Sequence, residues 1–400
     1  MACLAVLAAI LLPAAQQTVG KKTTSKSSKA TVAARPAAKK KATVAARPVA
    51  KKAVSTRKKT ASAKRAAKKP ARKRYSPWSE PTYADSTIGD RLDGEDFVVR
   101  RAAVDALGRY NGSVVVVDPN TGRVLSMVNQ RVALGNAFQP CSTIKLPVAI
   151  AALSEGIIQG NTILRVSTGK RLSLTDALAR SDNAFFASLG VKLGFERFSS
   201  YARLLGLGEK AGLNIEGEKP GVFPSAPSSQ GVGMMTSFGE GIALTPLQLA
   251  SVLTVFANGG TLYYLQYPRT GEEIRDFVPK VKRQLAVEEW LPDIKPGMMA
   301  AVEYGTARRA NYDPSEPVFG KTGTCTDNRT HLGWFGSYND TGGHKLVVVV
   351  LLTGGSGVGG SVAAEIAGGT YRRLSQENFF VSDKQFEPTA LLSTQSCCRQ

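Results

Sequence analysis

Histidine and cysteine are scarce in this chain of 400 residues. The two histidines are His331 and His344, so a metal site built from several histidines is not expected, and a Ser-His-Asp triad would need one of these two. The cysteines lie at positions 3, 141, 325, 397 and 398, and none of them forms a C-x-x-C pair. A zinc site of that kind is therefore not expected. We expect neither a metal nor another cofactor.

Acidic residues are absent from the first 79 positions. Residues 1–74 hold 21 of the 52 Lys and Arg residues, and the first acid is Glu80. After residue 74, the other 31 basic residues are balanced by 31 acidic ones, so the net charge of +21 belongs to the N-terminal segment. A neutral globule with a basic tail argues against nucleic-acid binding by the whole protein.

No apolar run in the sequence is long enough for a comfortable membrane span. Residues 2–15 are nearly all apolar, broken by Pro13, but a spanning helix needs about 20 residues. Ala14 and Ala15 fit a cleavage point, so we interpret residues 1–17 as a signal peptide or short membrane anchor. Positive charge follows the run instead of preceding it. Either the true start lies upstream or the segment is not a signal.

Residues 18–74 are predicted to form a disordered basic linker. The segment lacks aromatic residues and cannot bury enough apolar surface to fold. It holds two copies of a 12-residue repeat, residues 29–40 and 41–52, which begin with K-A-T-V-A-A-R-P. A solvated spacer is the favoured interpretation, binding to an anionic lipid or wall polymer is the second, and nucleic-acid binding is the third and least favoured.

Residues 75–400 are predicted to form one globular domain of the α+β class. Strand patterns lie towards both ends and helical patterns lie between them. The simplest packing is an antiparallel sheet flanked by helices, with an inserted all-α subdomain. The predicted helices cover 97–110, 146–153, 174–179, 184–193, 196–205, 245–257 and 361–374, and the predicted strands cover 113–118, 124–128, 318–326, 332–338 and 346–353.

Three short motifs carry residues that can do chemistry. Ser142-Thr-Ile-Lys145 opens a predicted helix, Ser181-Asp-Asn183 lies between two helices, and Lys321-Thr-Gly-Thr324 lies on a strand. Each motif alone has an ordinary structural explanation as a helix cap, a polar turn or a strand edge. All three in this order, each in a suitable element, indicate one active site.

The residue types suit nucleophilic catalysis by a serine. Positions i and i+3 share a helix face, so the Lys145 amine can reach the Ser142 hydroxyl and act as its base. That role requires a lowered pKa, which burial and a second cation, Lys321, would provide. Ser181 can relay a proton to a leaving nitrogen, and Asn183 can hold a substrate amide.

The strand motif suits substrate binding. Lys321, Thr322 and Thr324 can bind a substrate carboxylate, and Gly323 is included in the expected substrate-binding strand. The N–H groups of Ser142 and Thr324 would form an oxyanion hole.

With these motifs, the chain resembles the transpeptidase domain of penicillin-binding proteins. The resemblance runs from about Asn111 to Leu374 and includes the hairpin 113–128, the segment 237–250, and the short stretches 305–307 and 333–335. It implies a β-lactamase/transpeptidase-like fold with three layers. It also implies that Ser142 attacks a D-Ala-D-Ala stem peptide of peptidoglycan, and that β-lactams bind covalently. The implied location is exported, periplasmic or on the outer face of the cell membrane.

Some features depart from this family. Leu146 stands between Lys145 and Pro147, which is more similar to class D β-lactamases and β-lactam sensors. A class D-like serine β-lactamase and a non-catalytic β-lactam or muropeptide sensor therefore stay as alternatives. About 67 residues separate Arg74 from Ser142, so we expect a minimal, single-domain version of the family.

Cys141 and Cys325 flank the two expected oxyanion-hole residues. Because the N–H groups of Ser142 and Thr324 must converge on one oxygen, the two cysteines are expected to be neighbours. A disulfide is one hypothesis, and two free buried thiols are the favoured alternative.

Overall fold

The computed structural model describes residues 78–341 and 344–380. The expected signal or anchor at 1–17 and the expected linker at 18–74 lie outside the described residues. Among the helices that are described, none has the length and hydropathy needed to cross a membrane.

The helices follow the predicted pattern closely in several places. Helix 174–179 has the predicted bounds. Its N-cap is Ser173, whose hydroxyl accepts a hydrogen bond from the N–H of Asp176. The α-helices are α1 (Phe97–Leu107), α2 (Gln130–Gly135), α3 (Lys145–Ser154), α4 (Leu174–Ala179), α5 (Asn183–Leu204), α6 (Val232–Phe238), α7 (Pro246–Asn258), α8 (Gly271–Arg275), α9 (Leu291–Glu303) and α10 (Gly360–Gln376).

Three sheets are present in the described part of the chain, one large and two small. The strands are β1 (Gly112–Val117), β2 (Val124–Val128), β3 (Leu164–Ser167), β4 (Lys170–Leu172), β5 (Thr261–Tyr264), β6 (Lys280–Gln284), β7 (Val318–Asp327), β8 (Thr330–Asn339) and β9 (Val347–Gly354).

The large sheet joins strands from the two ends of the domain. Its order is β2-β1-β9-β8-β7, and every pairing is antiparallel. Strand β9 lies at the centre, with Val350 opposite both Val114 of β1 and Phe335 of β8. All eight residues of β9 are buried, as its unbroken apolar run predicts. The predicted union of the N-terminal hairpin and the C-terminal strands in one sheet is confirmed.

The sheet separates two hydrophobic cores. Alternate residues of β1 and β9 point to opposite faces, so Val115 and Val349 pack in one core while Val114 and Val348 pack in the other. Helices α1 and α10 cover the second face, and α7 packs on the first. This is the expected α+β sheet flanked by helices.

The chain between β2 and β7 forms the insertion. It is largely helical, and it also carries the hairpins β3–β4 and β5–β6, which are not predicted from the sequence. The two helices predicted at 184–193 and 196–205 form one element, α5, interrupted at Gly194 by a φ of 75°. Glycine adopts this left-handed conformation without a steric penalty, so the interruption falls where the sequence predicts a helix end.

A buried ionic cluster ties α1 to the hairpin β1–β2. The Arg100 guanidinium lies 2.7 Å from an Asp90 oxygen and 3.3 Å from a Glu95 oxygen, and it donates to the Met127 carbonyl. The carboxylates of Asp90 and Glu95 are 2% and 0% exposed. Because both are out of reach of bulk water, they depend on Arg100 for charge neutralisation.

We predict that Arg100→Met lowers the free energy of unfolding by about 3–5 kcal/mol, because it leaves two buried carboxylates without their cation. Urea unfolding measures this. Arg101→Met is the matched control, since Arg101 pairs with Glu377 on the surface and such a pair contributes about 1 kcal/mol or less. Equal losses in the two variants would contradict this account of the cluster.

Candidate active site

Ser142 lies in a tight helical turn that leads into α3. Residues Cys141–Ile144 form a 3-10 helix, and α3 continues from Lys145. The turn is closed by Thr143, whose N–H and hydroxyl both donate to the Pro140 carbonyl at 3.2 and 2.7 Å. Because α3 is buried along nearly its whole length, this turn is fixed within the core. The prediction that the motif opens a helix is confirmed.

The Lys145 amine is enclosed by the first two motifs. Its Nζ donates to Ser142 Oγ at 2.8 Å, to the Ser181 carbonyl at 2.9 Å and to Asn183 Oδ1 at 2.6 Å, and Ser181 Oγ lies 3.2 Å away. The Lys145 side chain is completely buried. The structure therefore brings Ser142, Lys145, Ser181 and Asn183 into one hydrogen-bonded group.

The Ser181-Asp-Asn turn owes its position to the helices on either side. It connects the end of α4 to the start of α5, and Ser181 has a left-handed φ of 55°. Asp182 caps α5 by accepting the N–H of Phe185 at 2.8 Å. Its other oxygen pairs with Lys170 of β4 at 2.5 Å. The Asp182 side chain is thus held by α5 and β4, while Ser181 and Asn183 contact the Lys145 amine.

Burial makes the Lys145 amine a base near neutral pH. Desolvation lowers the pKa of Lys145 to about 7, against the opposing effect of the Asp182 charge. The pKa of Lys321 is also lowered well below its usual value, first by complete burial and then by the charge of Lys145. Burial alone would raise the pKa of Asp182, but the hydrogen bonds from Lys170 and the Phe185 N–H lower it overall. The Asp182 carboxylate thus favours the ammonium form of Lys145, while burial disfavours it more strongly.

Strand β7 places the third motif against the turn that carries Ser142. A Cβ at Gly323 would lie 2.9 Å from the Pro140 carbonyl oxygen and 3.1 Å from Cβ of Trp334, so only glycine allows this approach. The Lys321 amine donates to the Thr322 carbonyl at 3.0 Å. The strand and the turn are thus in direct contact.

The two threonine hydroxyls of this motif have partners within the protein. Thr322 Oγ1 lies 2.6 Å from Thr306 Oγ1, and Thr324 Oγ1 accepts the N–H of Gly360 at 2.8 Å. Thr322 is buried, whereas Thr324 is exposed. The expected role of Thr322 and Thr324 in carboxylate binding, like the expected oxyanion hole, stays a prediction.

The structure corrects the expectation for the two cysteines. Cys141 and Cys325 form a disulfide, with their Cα atoms 5.7 Å apart. The expectation that they are neighbours is confirmed, and the favoured interpretation of two free thiols is wrong. Because β7 approaches the turn closely at Gly323, the nearby residues Cys141 and Cys325 come within bonding distance of each other.

Some contacts at the site escape sequence reasoning. Lys170 does not belong to any of the three motifs, and its ion pair with Asp182 depends on the hairpin β3–β4, which the sequence does not predict. The Trp334 indole donates to the Gln139 carbonyl at 2.9 Å, which ties β8 to the chain just before the turn. Thr306 lies in a stretch that resembles the family, which is the signal that points to it. The described residues hold no group of three or more His, Cys, Asp or Glu side chains that could bind a metal.

A family model decides which family these residues belong to. The model described as the penicillin binding protein transpeptidase domain matches residues 112–371, a span that contains all three motifs and the whole large sheet. The chain belongs to this family. The resemblance on which the sequence analysis relies is confirmed.

Curated relatives agree with this membership. The chain is 28% identical over 281 residues to stage V sporulation protein D of Bacillus subtilis, which covers 62% of this chain and 43% of the relative. It is 30% identical over 205 residues to peptidoglycan D,D-transpeptidase FtsI of Escherichia coli, covering 44% of this chain and 35% of the relative. The matched segments are thus less than half of each of these two relatives.

Solved structures share the fold. A D,D-transpeptidase domain from Eggerthella lenta superposes with a TM-score of 0.61 at 21% identity, covering 71% of this chain and 82% of that one. PBP2 of Pseudomonas aeruginosa, solved in complex with WCK 5153, gives a TM-score of 0.60 at 21% identity. The match covers 70% of this chain and 74% of that chain. At this identity the likeness shows the penicillin-binding protein fold.

We predict that Lys145 titrates with a midpoint near pH 7, and that Asp182→Asn moves the midpoint lower, because the lost negative charge stabilised the ammonium form. Asparagine keeps the helix cap. Carbon NMR of protein labelled at lysine Cε measures the titration, with the Lys145 signal assigned by its absence in Lys145→Gln.

Asp176→Asn serves as the control, because Asp176 pairs with Arg180 at the surface. It should leave the midpoint unchanged. A midpoint near the ordinary value of 10.5 in the parent protein would refute the effect of burial.

Proposed function

We propose that this chain is a serine D,D-transpeptidase that cross-links peptidoglycan stem peptides through an acyl-enzyme on Ser142. The observation that carries the proposal is the Lys145 amine, buried, with a pKa lowered to about 7, and 2.8 Å from the Ser142 hydroxyl. A serine becomes a strong nucleophile only beside such a base. The family membership and the name of the FtsI relative support the same reaction.

In the acylation step, neutral Lys145 accepts the proton of Ser142 as Oγ attacks the carbonyl carbon of the penultimate D-Ala. The negative charge that develops on the carbonyl oxygen is stabilised by the N–H groups of Ser142 and Thr324. Burial keeps Lys145 neutral in the resting enzyme, and when Lys145 takes up the serine proton its charge disfavours the ammonium form of the second buried lysine, Lys321.

In the leaving-group step, the proton now on Lys145 passes to the nitrogen of the terminal D-Ala. Ser181 is the relay, since its Oγ lies 3.2 Å from the Lys145 amine. Asn183 holds the amine with its side-chain oxygen at 2.6 Å, and its amide nitrogen can donate to the substrate backbone. An amine of a second stem peptide then attacks the ester carbonyl. Lys145 accepts a proton from this amine and returns it to Oγ of Ser142 as the C–Oγ bond breaks, which leaves a new peptide bond and the free serine.

Strand β7 is the proposed substrate-binding edge. Gly323 lets the strand lie against the nucleophile turn, so an extended peptide beside β7 has its carbonyl near Ser142. Thr322, Thr324 and Lys321 are the proposed carboxylate-binding groups. A β-lactam carries a carboxylate and a strained amide, so it enters by the same route and leaves an acyl group on Ser142.

We also propose an extracytoplasmic location. The disulfide between Cys141 and Cys325 is typical of proteins in oxidising compartments, and the substrate lies outside the cytoplasmic membrane. Residues 1–17 would act as a signal or anchor and residues 18–74 as a tether, with anionic lipid or wall polymer as the partner of the basic residues. Residues 75–400 would then form the catalytic domain.

The test is labelling of the full chain with a fluorescent penicillin, beside Ser142→Ala and the control Ser200→Ala on the exposed side of α5. We expect a stable adduct on the parent and on Ser200→Ala, and none on Ser142→Ala. Release of D-Ala from a peptide ending in D-Ala-D-Ala, and its exchange for an added amine, should follow the same pattern.

The other outcomes separate the alternatives. Rapid loss of the label with turnover of penicillin indicates a class D-like β-lactamase. A stable adduct without D-Ala release indicates a sensor. No adduct on the parent protein contradicts the acyl-enzyme proposal.

A further inference from the structure

The Cys141–Cys325 disulfide links the two segments that carry the reacting groups. Cys141 directly precedes Ser142, and Cys325 directly follows Thr324. The two residues are separated by 184 positions in sequence, and their Cα atoms lie 5.7 Å apart. The bond therefore joins the nucleophile turn to strand β7 at the place where both must face the same substrate carbonyl.

Cys141 has a backbone conformation that needs support from its surroundings. Its φ of 51° lies in the left-handed region, which residues with a Cβ rarely adopt. The chain before it is held by the Trp334 indole on the Gln139 carbonyl. Pro140 is held between Gly239 and Gly323, where a Cβ would lie 2.5 Å and 2.9 Å from its atoms. These contacts hold the start of the turn, and the disulfide holds Cys141 itself.

Strand β7 becomes more exposed to solvent after Gly323. Gly323 is buried, Thr324 is exposed and Cys325 is half-buried, so β7 emerges from the core as it passes the nucleophile. The pairing of β7 with β8 holds the hairpin together as far as Asp327. It does not join the hairpin to the turn at Cys141. The turn and the hairpin also contact each other through the close packing at Gly323 and the hydrogen bond of the Trp334 indole. The disulfide is the covalent connection between the turn and the hairpin.

We propose that Cys141 and Cys325 are positioning residues, whose disulfide fixes Ser142 relative to the Thr324 N–H and is needed for full acylation activity. This inference rests on the proposed function. A displacement of about 1 Å in such an arrangement can lower a rate by about 100-fold. We expect loss of the bond to slow acylation at least tenfold, with the domain still folded, because the backbone pairing of β7 with β8 and the second core do not involve the bond, and Cys141 is one of many residues in the first core.

Reduction offers a way to break the bond without mutation. Cys325 is half-buried whereas Cys141 is fully buried, so we expect the reductant to approach from the side of Cys325. A thiolate of a small dithiol attacks one protein sulfur to give a mixed disulfide, and the second thiolate then displaces the protein. The protein gains two electrons and two protons and carries two thiols, and the reagent becomes a cyclic disulfide.

The experiment uses the full chain with Cys3, Cys397 and Cys398 replaced by Ser, which prevents exchange with other cysteines. The rate constant for acylation at saturating fluorescent penicillin, and the binding constant before it, are measured for this parent, for Cys325→Ser, for Cys141→Ala and for the double variant. The parent is also measured after reduction by a dithiol and after reoxidation.

We expect the acylation rate constant to fall by the same factor, at least tenfold, in both single variants, the double variant and the reduced parent. The binding constant should change less than threefold. Reoxidation should restore the parent alone, and the dithiol should have no effect on the variants. Equal acylation rates with and without the bond would overturn the proposal, as would two free thiols in the parent purified without reductant.

Amide hydrogen exchange provides a readout that does not need acylation. Reduction should raise exchange in residues 139–146 and 318–327 and leave α10 unchanged. If no state of the protein reacts with penicillin, the proposed function fails while the exchange result still decides the positioning role. Unchanged exchange in both segments would reject that role.

Discussion

A buried amine 2.8 Å from a serine hydroxyl is the interaction on which the rest of this structure depends. Lowering the pKa of Lys145 from 10.5 to about 7 means that the surroundings disfavour the ammonium form by about 5 kcal/mol relative to the amine. Part of that burial comes from α3, which lies within the core. The Ser181-Asp-Asn turn also encloses the amine, and oxygens of Ser181 and Asn183 accept its hydrogen bonds. The site therefore exists only while both elements are packed together.

The fold serves this arrangement by bringing distant parts of the chain to one place. The nucleophile turn and the Ser181-Asp-Asn turn lie in the insertion, whereas Lys321 lies on the edge strand of the large sheet. Because β9 pairs with both β1 and β8, the insertion begins and ends at the same sheet. Close packing at Gly323 and the disulfide then set β7 against the turn. Family membership is consistent with this division of the domain.

Sequence reasoning succeeds where the determinants are local. The apolar run of β9, the cap at Ser173 and the spacing of Ser142 and Lys145 follow from periodicity and short-range contacts, and the structure confirms them. Pairings across the fold are harder. The hairpin β3–β4 consists of short strands with exposed polar residues, so nothing in its pattern predicts that Lys170 would meet Asp182. The disulfide depends on a close approach of the backbone of β7 to the backbone of the nucleophile turn, which only glycine at position 323 permits. No sequence motif gives the distance between these two backbones.

The most direct test of this account is the pH dependence of acylation. The rate constant at saturating fluorescent penicillin should be measured for the full chain from pH 5 to 9. Because only the neutral amine of Lys145 can accept the serine proton, the rate should rise about tenfold for each pH unit below 7 and then level off above it. A rate that is independent of pH over this range, or one that is still climbing at pH 9, would contradict the claim that burial of Lys145 activates Ser142.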